Sequence, residues 1–330
     1  MTNLEGLTLK LQEIIEYELK DNKDLKYITV SNAKLLSQII TNMDLKKAND
    51  TNEKLKAKMI YLGAPTGAGK DILVRKLRAL DPGKKYVVLN MDIFRYYHNE
   101  ITGEPETILD KEYAQKTNQS SYEMYYLIQE AILKEYPGTN IIVTGTLKDI
   151  EWVKSILKRY KDDPNTDYSV EINALAVEKN ESAFSIFERY LNLVDARDSS
   201  ARSLRFTDIG YHNATTKDFI KNVKTLEEDY NKASGDSLID EIKVFCRNRD
   251  IFDMNEDTIL YDSMMPKKYG KSCVPIIKNK MEKFAIIDNK RIERLINILK
   301  RNKRYLVSQG LYKDILGALK EILMMQIDME

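Results

Sequence analysis

Apolar residues recur along the chain in two patterns, uninterrupted runs of strand length and longer stretches with helical spacing. The runs of strand length are Met59–Leu62, Tyr86–Asn90, Asn140–Thr144 and Ser169–Val177, with shorter candidates at Ile242–Cys246 and Thr258–Tyr261. The stretches with helical spacing are residues 119–135, 149–160, 181–193 and 215–233. Strands that do not alternate with polar residues are buried on both faces, so this order predicts an α/β fold. We expect a mainly parallel sheet with helices on both of its faces.

Both ends of the chain carry helical spacing without strand-length runs. Residues 4–20 and 31–43 each have one apolar stripe, and residues 275–330 return to the same pattern. Residues 44–58 are polar and charged, and we interpret them as a solvated helix or a linker. The N-terminal helices either cover the sheet, which is the interpretation we favour, or bind a partner.

The length of the chain also argues for more than one structural unit. At 330 residues it exceeds the roughly 250–300 residues at which a single core stops growing. We therefore expect an N-terminal helical extension at residues 1–57, an α/β domain at residues 58–265 and a C-terminal helical region at residues 266–330.

A glycine-rich turn joins the first predicted strand to a helical pattern, which is the layout of a P-loop. The residues of this turn are Gly63, Ala64, Pro65, Thr66, Gly67, Ala68, Gly69, Lys70 and Asp71. Glycines let several backbone N–H groups point at one anion, the helix N-terminus adds partial positive charge, and Lys70 can reach terminal phosphates. A plain glycine-rich turn would have the same composition, but the strand before it and the helix after it favour a nucleotide-binding site.

Two positions depart from the P-loop pattern G-x-x-x-x-G-K-[ST]. Ala64 replaces the first glycine, and Asp71 replaces the final hydroxyl residue, which normally binds Mg²⁺. A carboxylate is also a hard oxygen ligand for Mg²⁺, although it places a negative charge beside the triphosphate. Asp71 is therefore the candidate metal ligand.

Further candidate site residues come just after the predicted strands, because ligands bind beyond the carboxyl ends of the strands in an open parallel sheet. Leu62, Asn90 and Thr144 end three of the predicted strands. Asp92 comes just after the second and is suited either to take the proton of an attacking hydroxyl or to cap the next helix. Thr146 comes just after the third and is suited either to bond an acceptor or to form a turn and cap.

An arginine-rich stretch follows the fourth predicted strand. It contains Arg189, Arg197, Arg202 and Arg205. Phosphoryl transfer needs cations on the oxygens of the transferred group, and arginines of a lid loop supply them, although a solvated surface is the more common reason for such a run. No acidic residue of Walker-B type can be placed from the sequence.

Charge and composition narrow the function classes. The 52 basic and 51 acidic residues leave a net charge of +1, which gives no electrostatic case for binding nucleic acid or an anionic membrane. The basic run at residues 300–304 is interpreted as a solvated helix end. Cys246 and Cys273 lack metal-type or redox-type spacing, and no signal peptide or transmembrane segment is evident. We expect a cytoplasmic protein.

Taken together, these segments resemble the zeta toxin family of bacterial toxin–antitoxin systems. The resemblance covers about residues 58–262 and rests on several segments in a fixed order. They are Gly63–Lys70, Val88–Arg95, Glu130–Ile132 before Asn140–Leu147, and Arg189-Tyr190 with Arg202 before His212-Asn213. The P-loop alone is unspecific, whereas the order and spacing of all the segments together are fairly specific.

The resemblance implies a P-loop kinase that uses Mg²⁺ and moves the γ-phosphate of ATP or GTP to the 3′-hydroxyl of the amino sugar of UDP-N-acetylglucosamine. The product would block early peptidoglycan synthesis, and a small antitoxin protein that occludes the nucleotide site would neutralise the toxin. By position, Asp92 resembles the general base, whereas Lys70, Arg189 and Arg202 resemble the cations on the phosphates. The residues expected to face the sugar nucleotide are Arg95, Glu130 and Thr146.

Three positions differ from the family pattern. Asp71 replaces the Mg²⁺-binding hydroxyl residue, Thr144 stands where the family has a glutamate, and Asn213 replaces an aspartate. Two alternatives therefore stay open. Thr144 favours a P-loop kinase with another small-molecule acceptor, and Asp71 with Ala64 favours a nucleotide-binding protein whose catalysis is lost.

Overall fold

The fold is built on one six-stranded sheet. The structure is a computed structural model. It describes residues 3–43, 45, 54–103, 110–196, 206–232, 236–247 and 259–327. Its strands are β1 (Leu55–Gly63), β2 (Tyr86–Asn90), β3 (Asn140–Gly145), β4 (Thr166–Ala176), β5 (Glu241–Cys246) and β6 (Ile259–Asp262). They lie in the order β2-β3-β1-β4-β5-β6, and every neighbouring pair is parallel except the antiparallel pair β5 and β6. The predicted mainly parallel sheet is confirmed.

Helices surround the sheet and extend the chain at both ends. In chain order they are α1 (Asn3–Asp21), α2 (Ala33–Thr41), α3 (Lys70–Leu80), α4 (Met91–Phe94), α5 (His98–Thr102), α6 (Asp110–Lys116), α7 (Asn118–Glu135), α8 (Ile150–Lys161), α9 (Lys179–Ala196), α10 (Ile209–Tyr230), α11 (Pro266–Tyr269), α12 (Val274–Glu282), α13 (Asn289–Arg301), α14 (Lys303–Ser308) and α15 (Tyr312–Ile327). None of the helices in the described residues is long and apolar enough to cross a membrane.

The central strand β1 begins earlier than the sequence predicts. Residues 55–58, interpreted above as part of a solvated helix or linker, are the first residues of β1, and Leu55 pairs with Thr166 of β4. The two lysines in this segment hid the strand pattern. Lys58 is accommodated because its ammonium lies 2.6 Å from the carboxylate of Glu171 in the neighbouring strand.

The N-terminal helices cover the sheet indirectly. α1 and α2 pack against each other and against α7, and α7 contacts β2. The connection between α1 and α2 is fixed by the buried carboxylate of Glu123 in α7, which accepts hydrogen bonds from the backbone N–H groups of residues 26, 27 and 28. The N-terminal helices therefore cover the sheet, as we favoured above, with α7 as a layer between them and the strands.

The C-terminal helices form a second core with α9. Phe184 and Leu191 of α9 pack with Leu295, Leu299 and Ile315 of the last helices in a cluster separate from the main core. The basic residues at 300–304 are mostly exposed at the junction of α13 and α14, as predicted for a solvated helix end. The helix α9 thereby contacts α13 and α15 of the C-terminal region as well as α10.

Candidate active site

The loop between β1 and α3 depends on two glycines in the left-handed backbone region. Gly67 has a φ of +80° and Gly69 a φ of +92°, which L-residues with a side chain rarely adopt. A Cβ on Gly67 would also lie 2.0 Å from the carbonyl oxygen of Ser182 in α9. The loop is therefore seated directly on the backbone of α9, and no larger residue fits at position 67.

Lys70 and Asp71 begin helix α3. The Nζ atom of Lys70 lies 3.4 Å from the carbonyl oxygen of Ala64, to which it donates a hydrogen bond, so the ammonium folds back over the loop. Asp71 is exposed in the first turn of α3, where its carboxylate interacts favourably with the helix dipole. The same charge opposes an anion bound in the loop.

The ends of three strands meet beside this loop. Leu62 of β1 is in register with Thr144 of β3, and Thr144 is in register with Asn90 of β2. The expected convergence of these three residues is thus present in the backbone. The hydroxyl of Thr144 is buried and has no hydrogen-bond partner within the described residues. This position, where the family has a glutamate, holds a neutral group.

Asp92 lies in the short helix α4, directly after β2, and it does not cap that helix. The cap is Asn90, whose Oδ1 accepts a hydrogen bond of 3.0 Å from the backbone N–H of Asp92. The Asp92 carboxylate instead accepts a hydrogen bond of 3.0 Å from Nε of Arg95. The side chain of Asp92 is 52% exposed, so the hydroxyl of a substrate can reach its carboxylate.

The guanidinium of Arg95 is buried and engaged on several sides. Besides Asp92, its nitrogens donate to the carbonyl oxygen of Ala114 at 2.7 Å, to Oγ1 of Thr117 at 3.0 Å and to Oδ1 of Asn118 at 3.1 Å. These partners lie in or beside α6 and α7. The contacts are those of a residue that holds Asp92 in place, rather than those expected above for a residue facing a sugar nucleotide.

A cleft of about 610 Å³ brings seven of the candidate residues together. The candidates that line it are Gly67, Gly69, Lys70 and Asp71 of the loop and α3, Asp92 and Arg95 beyond β2, and Arg189 of α9. Of the remaining loop residues, Ala64 and Ala68 are buried in the apolar cluster under α3, which also contains Leu62. Gly63, Pro65 and Thr66 do not line the cleft either.

Two residues expected at the acceptor lie elsewhere. Glu130 is twelve residues after Asn118 in α7, which places it about 18 Å further along the helix. Its carboxylate pairs with Arg159 of α8 at 3.1 Å and with Lys134 at 3.7 Å. Thr146 follows β3 but does not line the cleft. Arg202 lies outside the described residues, as do Arg197 and Arg205.

Arg247 is a cleft residue that the sequence analysis missed. It follows β5 directly, and its Nη1 donates to Oγ of Ser185 in α9 at 2.9 Å. Its Cδ atom lies 3.9 Å from the position that a Cβ would take on Gly69. A usable signal was present, because Arg247 comes immediately after a predicted strand, as Asp92 nearly does. Arg247 adds a cation to the cleft, whose lining also includes Lys70, Arg75, Arg95 and Arg189.

Asp110 joins the two sides of the cleft. Its buried Oδ2 accepts hydrogen bonds from the hydroxyl of Tyr190 in α9 at 2.7 Å and from that of Tyr305 in α14 at 2.8 Å. Burial, together with the Asp110 carboxylate, raises the pKa of both tyrosines well above the usual range, so both hydroxyls stay protonated donors. Tyr190 directly follows the cleft residue Arg189. Asp110 begins α6, the helix in which the carbonyl oxygen of Ala114 accepts a hydrogen bond from Arg95.

His212 of α10 supports α9 where the loop rests on it. Its Nε2 lies 2.9 Å from Oγ of Ser182, the residue whose carbonyl faces Gly67. Burial, together with the nearby ammonium of Lys179, lowers the pKa of His212 to about 4, so the ring is neutral near pH 7. The position of α9 behind the loop therefore depends on an uncharged histidine.

No group of three or more His, Cys, Asp or Glu side chains that could hold a metal ion occurs within the described ranges. Mg²⁺ does not require such a group, because it usually keeps several waters and takes one or two carboxylates together with phosphate oxygens. Asp71 and Asp92 both line the cleft. Their carboxylate oxygens are suitable donors for Mg²⁺ bound with a nucleotide.

The family model of the zeta toxins matches residues 42–265 of this chain. The chain belongs to the zeta toxin family. Zeta toxins are kinase-type phosphotransferases, and the α/β fold expected from the resemblance is confirmed. No curated protein sequence matches the chain.

Solved structures give the same fold. A chain of the PezAT chromosomal toxin–antitoxin system of Streptococcus pneumoniae is similar at 18% identity and a TM-score of 0.61, over 84% of this chain and 98% of that one. The AvrRxo1-ORF1:AvrRxo1-ORF2 complex with sulphate ions contains a chain with 14% identity and a TM-score of 0.48, over 96% of this chain and 88% of that one. The similarity to the chain of the PezAT system supports the fold described above.

Proposed function

We propose that this zeta toxin is a kinase that transfers the γ-phosphate of ATP or GTP to the 3′-hydroxyl of the amino sugar of UDP-N-acetylglucosamine, and thereby blocks cell-wall synthesis. The observation that carries the proposal is that Asp92, Lys70 and Arg189 line one cleft. Phosphoryl transfer needs a proton acceptor for the attacking hydroxyl and cations on the phosphate oxygens, and these residues supply both.

In the proposed reaction the acceptor oxygen forms a bond to the γ-phosphorus while the bond from that phosphorus to the β–γ bridging oxygen breaks. Asp92 accepts the hydroxyl proton, and Arg95 holds the carboxylate for this step. Lys70 and Arg189 bind the phosphate oxygens, with Arg202 as a further cation by its position in the family pattern. Mg²⁺, held by Asp71, would neutralise phosphate charge when bound.

A small helical antitoxin is the proposed protein partner. Support comes from membership of the zeta toxin family and from the toxin–antitoxin system to which the similar chain of Streptococcus pneumoniae belongs. An antitoxin that covers the cleft would exclude the donor nucleotide from Lys70.

Another small-molecule acceptor is the second candidate, and Thr144 favours it. Where the family has a glutamate, this chain has a buried hydroxyl with no hydrogen-bond partner in the described residues. Loss of a carboxylate at the end of β3 removes a strong acceptor for sugar hydroxyl groups. The identity of the phosphorylated molecule is therefore the point to test.

The test is to incubate the purified protein with Mg²⁺, ATP and UDP-N-acetylglucosamine and to analyse the sugar nucleotide by mass spectrometry. We expect a gain of one phosphate, and no gain with Asp92→Asn, which should still bind ATP. ATP hydrolysis without a phosphorylated sugar nucleotide would favour another acceptor. Absence of both ATP binding and product would mean that the fold has lost its catalysis.

A further inference from the structure

A second cleft, of about 970 Å³, adjoins the cleft over the P-loop and shares Glu188 and Arg247 with it. Arg247 stands at the boundary. Its side chain passes beside Gly69 of the loop, and its guanidinium lies 3.7 Å from Glu181 of α9. The second cleft therefore begins at the end of the P-loop that leads into α3.

A kinase must hold two substrates at once. The volume of the first cleft, about 610 Å³, lies in the range of a pocket for one ligand. If the proposed function is correct, the P-loop holds the donor phosphates and the acceptor occupies the side with Asp92. The remaining part of the donor, its nucleoside, must then leave the first cleft on the side of Arg247.

The charge of the second cleft suits an uncharged ligand. Three of its four carboxylates face cations: Glu178 lies 2.6 Å from Lys280, and Glu181 and Glu188 lie 3.1 Å and 2.7 Å from Arg291. The fourth, Asp288, caps α13 and accepts a hydrogen bond of 2.8 Å from the backbone N–H of Lys290. A further phosphate group would meet carboxylates that are already paired, whereas a base and a ribose bring no charge.

The far wall of the second cleft is an apolar segment on a fixed backbone. Ala285 exchanges two hydrogen bonds with the side-chain amide of Asn180, at 2.7 Å and 3.0 Å. Ile287 likewise exchanges two with the amide of Gln326, both at 3.1 Å. Between them Ile286 lines the cleft and is 59% exposed. An exposed apolar side chain on a backbone held from both sides is a preorganised surface for a planar, weakly polar group.

We propose that this second cleft binds the nucleoside of the donor nucleotide, with Ile286 and the half-buried Phe284 as the surface for its base. Both residues lie beyond residues 42–265, the part that matches the family model. The C-terminal region of this chain therefore supplies a subsite of its own to the P-loop cleft. The inference rests on the proposed function and names a part of the same site.

Binding of two probes by isothermal titration calorimetry tests the inference. The probes are ATP and inorganic tripolyphosphate, each with Mg²⁺, because tripolyphosphate carries the phosphates without a nucleoside. Ile286→Asn should raise the Kd for ATP at least fivefold and leave that for tripolyphosphate within twofold. The matched control is Val307→Asn, since Val307 is 57% exposed and lines neither cleft; it should change neither Kd. Lys70→Ala should weaken the binding of both probes.

The other outcomes are distinct. Unchanged ATP affinity in Ile286→Asn would overturn the assignment of the nucleoside, and so would an equal loss for both probes. If the unaltered protein binds neither probe, the proposed function itself fails and the inference falls with it.

Discussion

Asp92 and Arg95 form an ion pair of 3.0 Å in which the carboxylate is 52% exposed and the guanidinium only 5% exposed. The exposed member faces the cleft, and the buried member is held by α6 and α7. This difference separates their roles: Asp92 presents an exposed carboxylate to the cleft, and the mostly buried Arg95, which also lines the cleft, holds that carboxylate in place.

Arg95→Lys should therefore lower the rate of phosphoryl transfer and leave ATP binding unchanged. A lysine cannot reproduce the fork of hydrogen bonds that fixes Asp92, and misplacement of a catalytic group by about 1 Å costs on the order of 10²-fold in rate. The measurement is kcat beside the Kd for ATP, with Arg78→Lys on the exposed end of α3 as control. A folded Arg95→Lys with the original kcat would show that other contacts hold Asp92.

Asp71→Thr should strengthen the binding of ATP with Mg²⁺ several-fold. The change removes a negative charge beside the phosphates and restores the hydroxyl ligand of the usual P-loop. Asp71→Asn separates the two effects, since it removes the charge without adding the hydroxyl. Weaker binding by Asp71→Thr would mean that the metal site is built around a carboxylate.

Tyr305→Phe should lower both stability and kcat, because it removes one of the two tyrosine hydroxyls bound to the buried Asp110. Loss of a hydrogen bond to a buried charged group costs about 1.5–3 kcal/mol. The two sides of the cleft would also lose a tether, so kcat should fall while the Kd for ATP stays the same. Thermal unfolding and kinetics of Tyr312→Phe, in the same helical bundle, provide the comparison. Equal effects of the two variants on kcat would argue against the tether.

Stability should fall as the pH is lowered from about 6.5 to about 4, owing to His212. Its pKa of about 4 in the folded protein is below the ordinary histidine value of 6.5, so the unfolded chain binds more protons in this window. The loss should reach at most about 3 kcal/mol from this group. Chemical unfolding at several pH values should show a smaller slope for His212→Gln. An identical slope would assign the acid sensitivity to other groups.

Glu130→Gln should leave the kinetics of phosphoryl transfer within about twofold and lower the stability by about 1 kcal/mol or less. Its carboxylate pairs with Arg159 and Lys134, away from the cleft. Steady-state kinetics with varied acceptor concentration measure the first effect. A large rise in KM for the acceptor would return Glu130 to the substrate site.

The sequence predicted those parts of the fold whose signal is local. The uninterrupted apolar runs mark strands buried on both faces, and Gly67 and Gly69 mark backbone that few other residues adopt. The beginning of β1 was missed because Lys56 and Lys58 imitate a solvated segment, and the partner of Lys58, Glu171, is more than one hundred residues away. A strand that contains a charged residue can be recognised from the sequence only when the partner of that charge is known.

The sequence predicted the location of several site residues better than it predicted the role of each one. Asp92 and Arg95 are adjacent on the helical turn after β2, and no local pattern distinguishes the residue that faces the cleft from the one that is buried. Glu130 was misjudged because its distance along α7 from the cleft follows only from the packing of the helix. Asp110 gives no local signal at all, since both of its tyrosine partners are distant in sequence.

The tether between Asp110 and Tyr305 spans 195 residues of chain. A ribosome working at about 5–20 residues per second makes Tyr305 roughly 10–40 s after Asp110. During that interval a nascent chain already contains the P-loop, Asp92 and Tyr190 but lacks α14, which supplies the second hydroxyl bound to Asp110. The residues that line the cleft are therefore all synthesised before the second hydrogen bond to Asp110 can form.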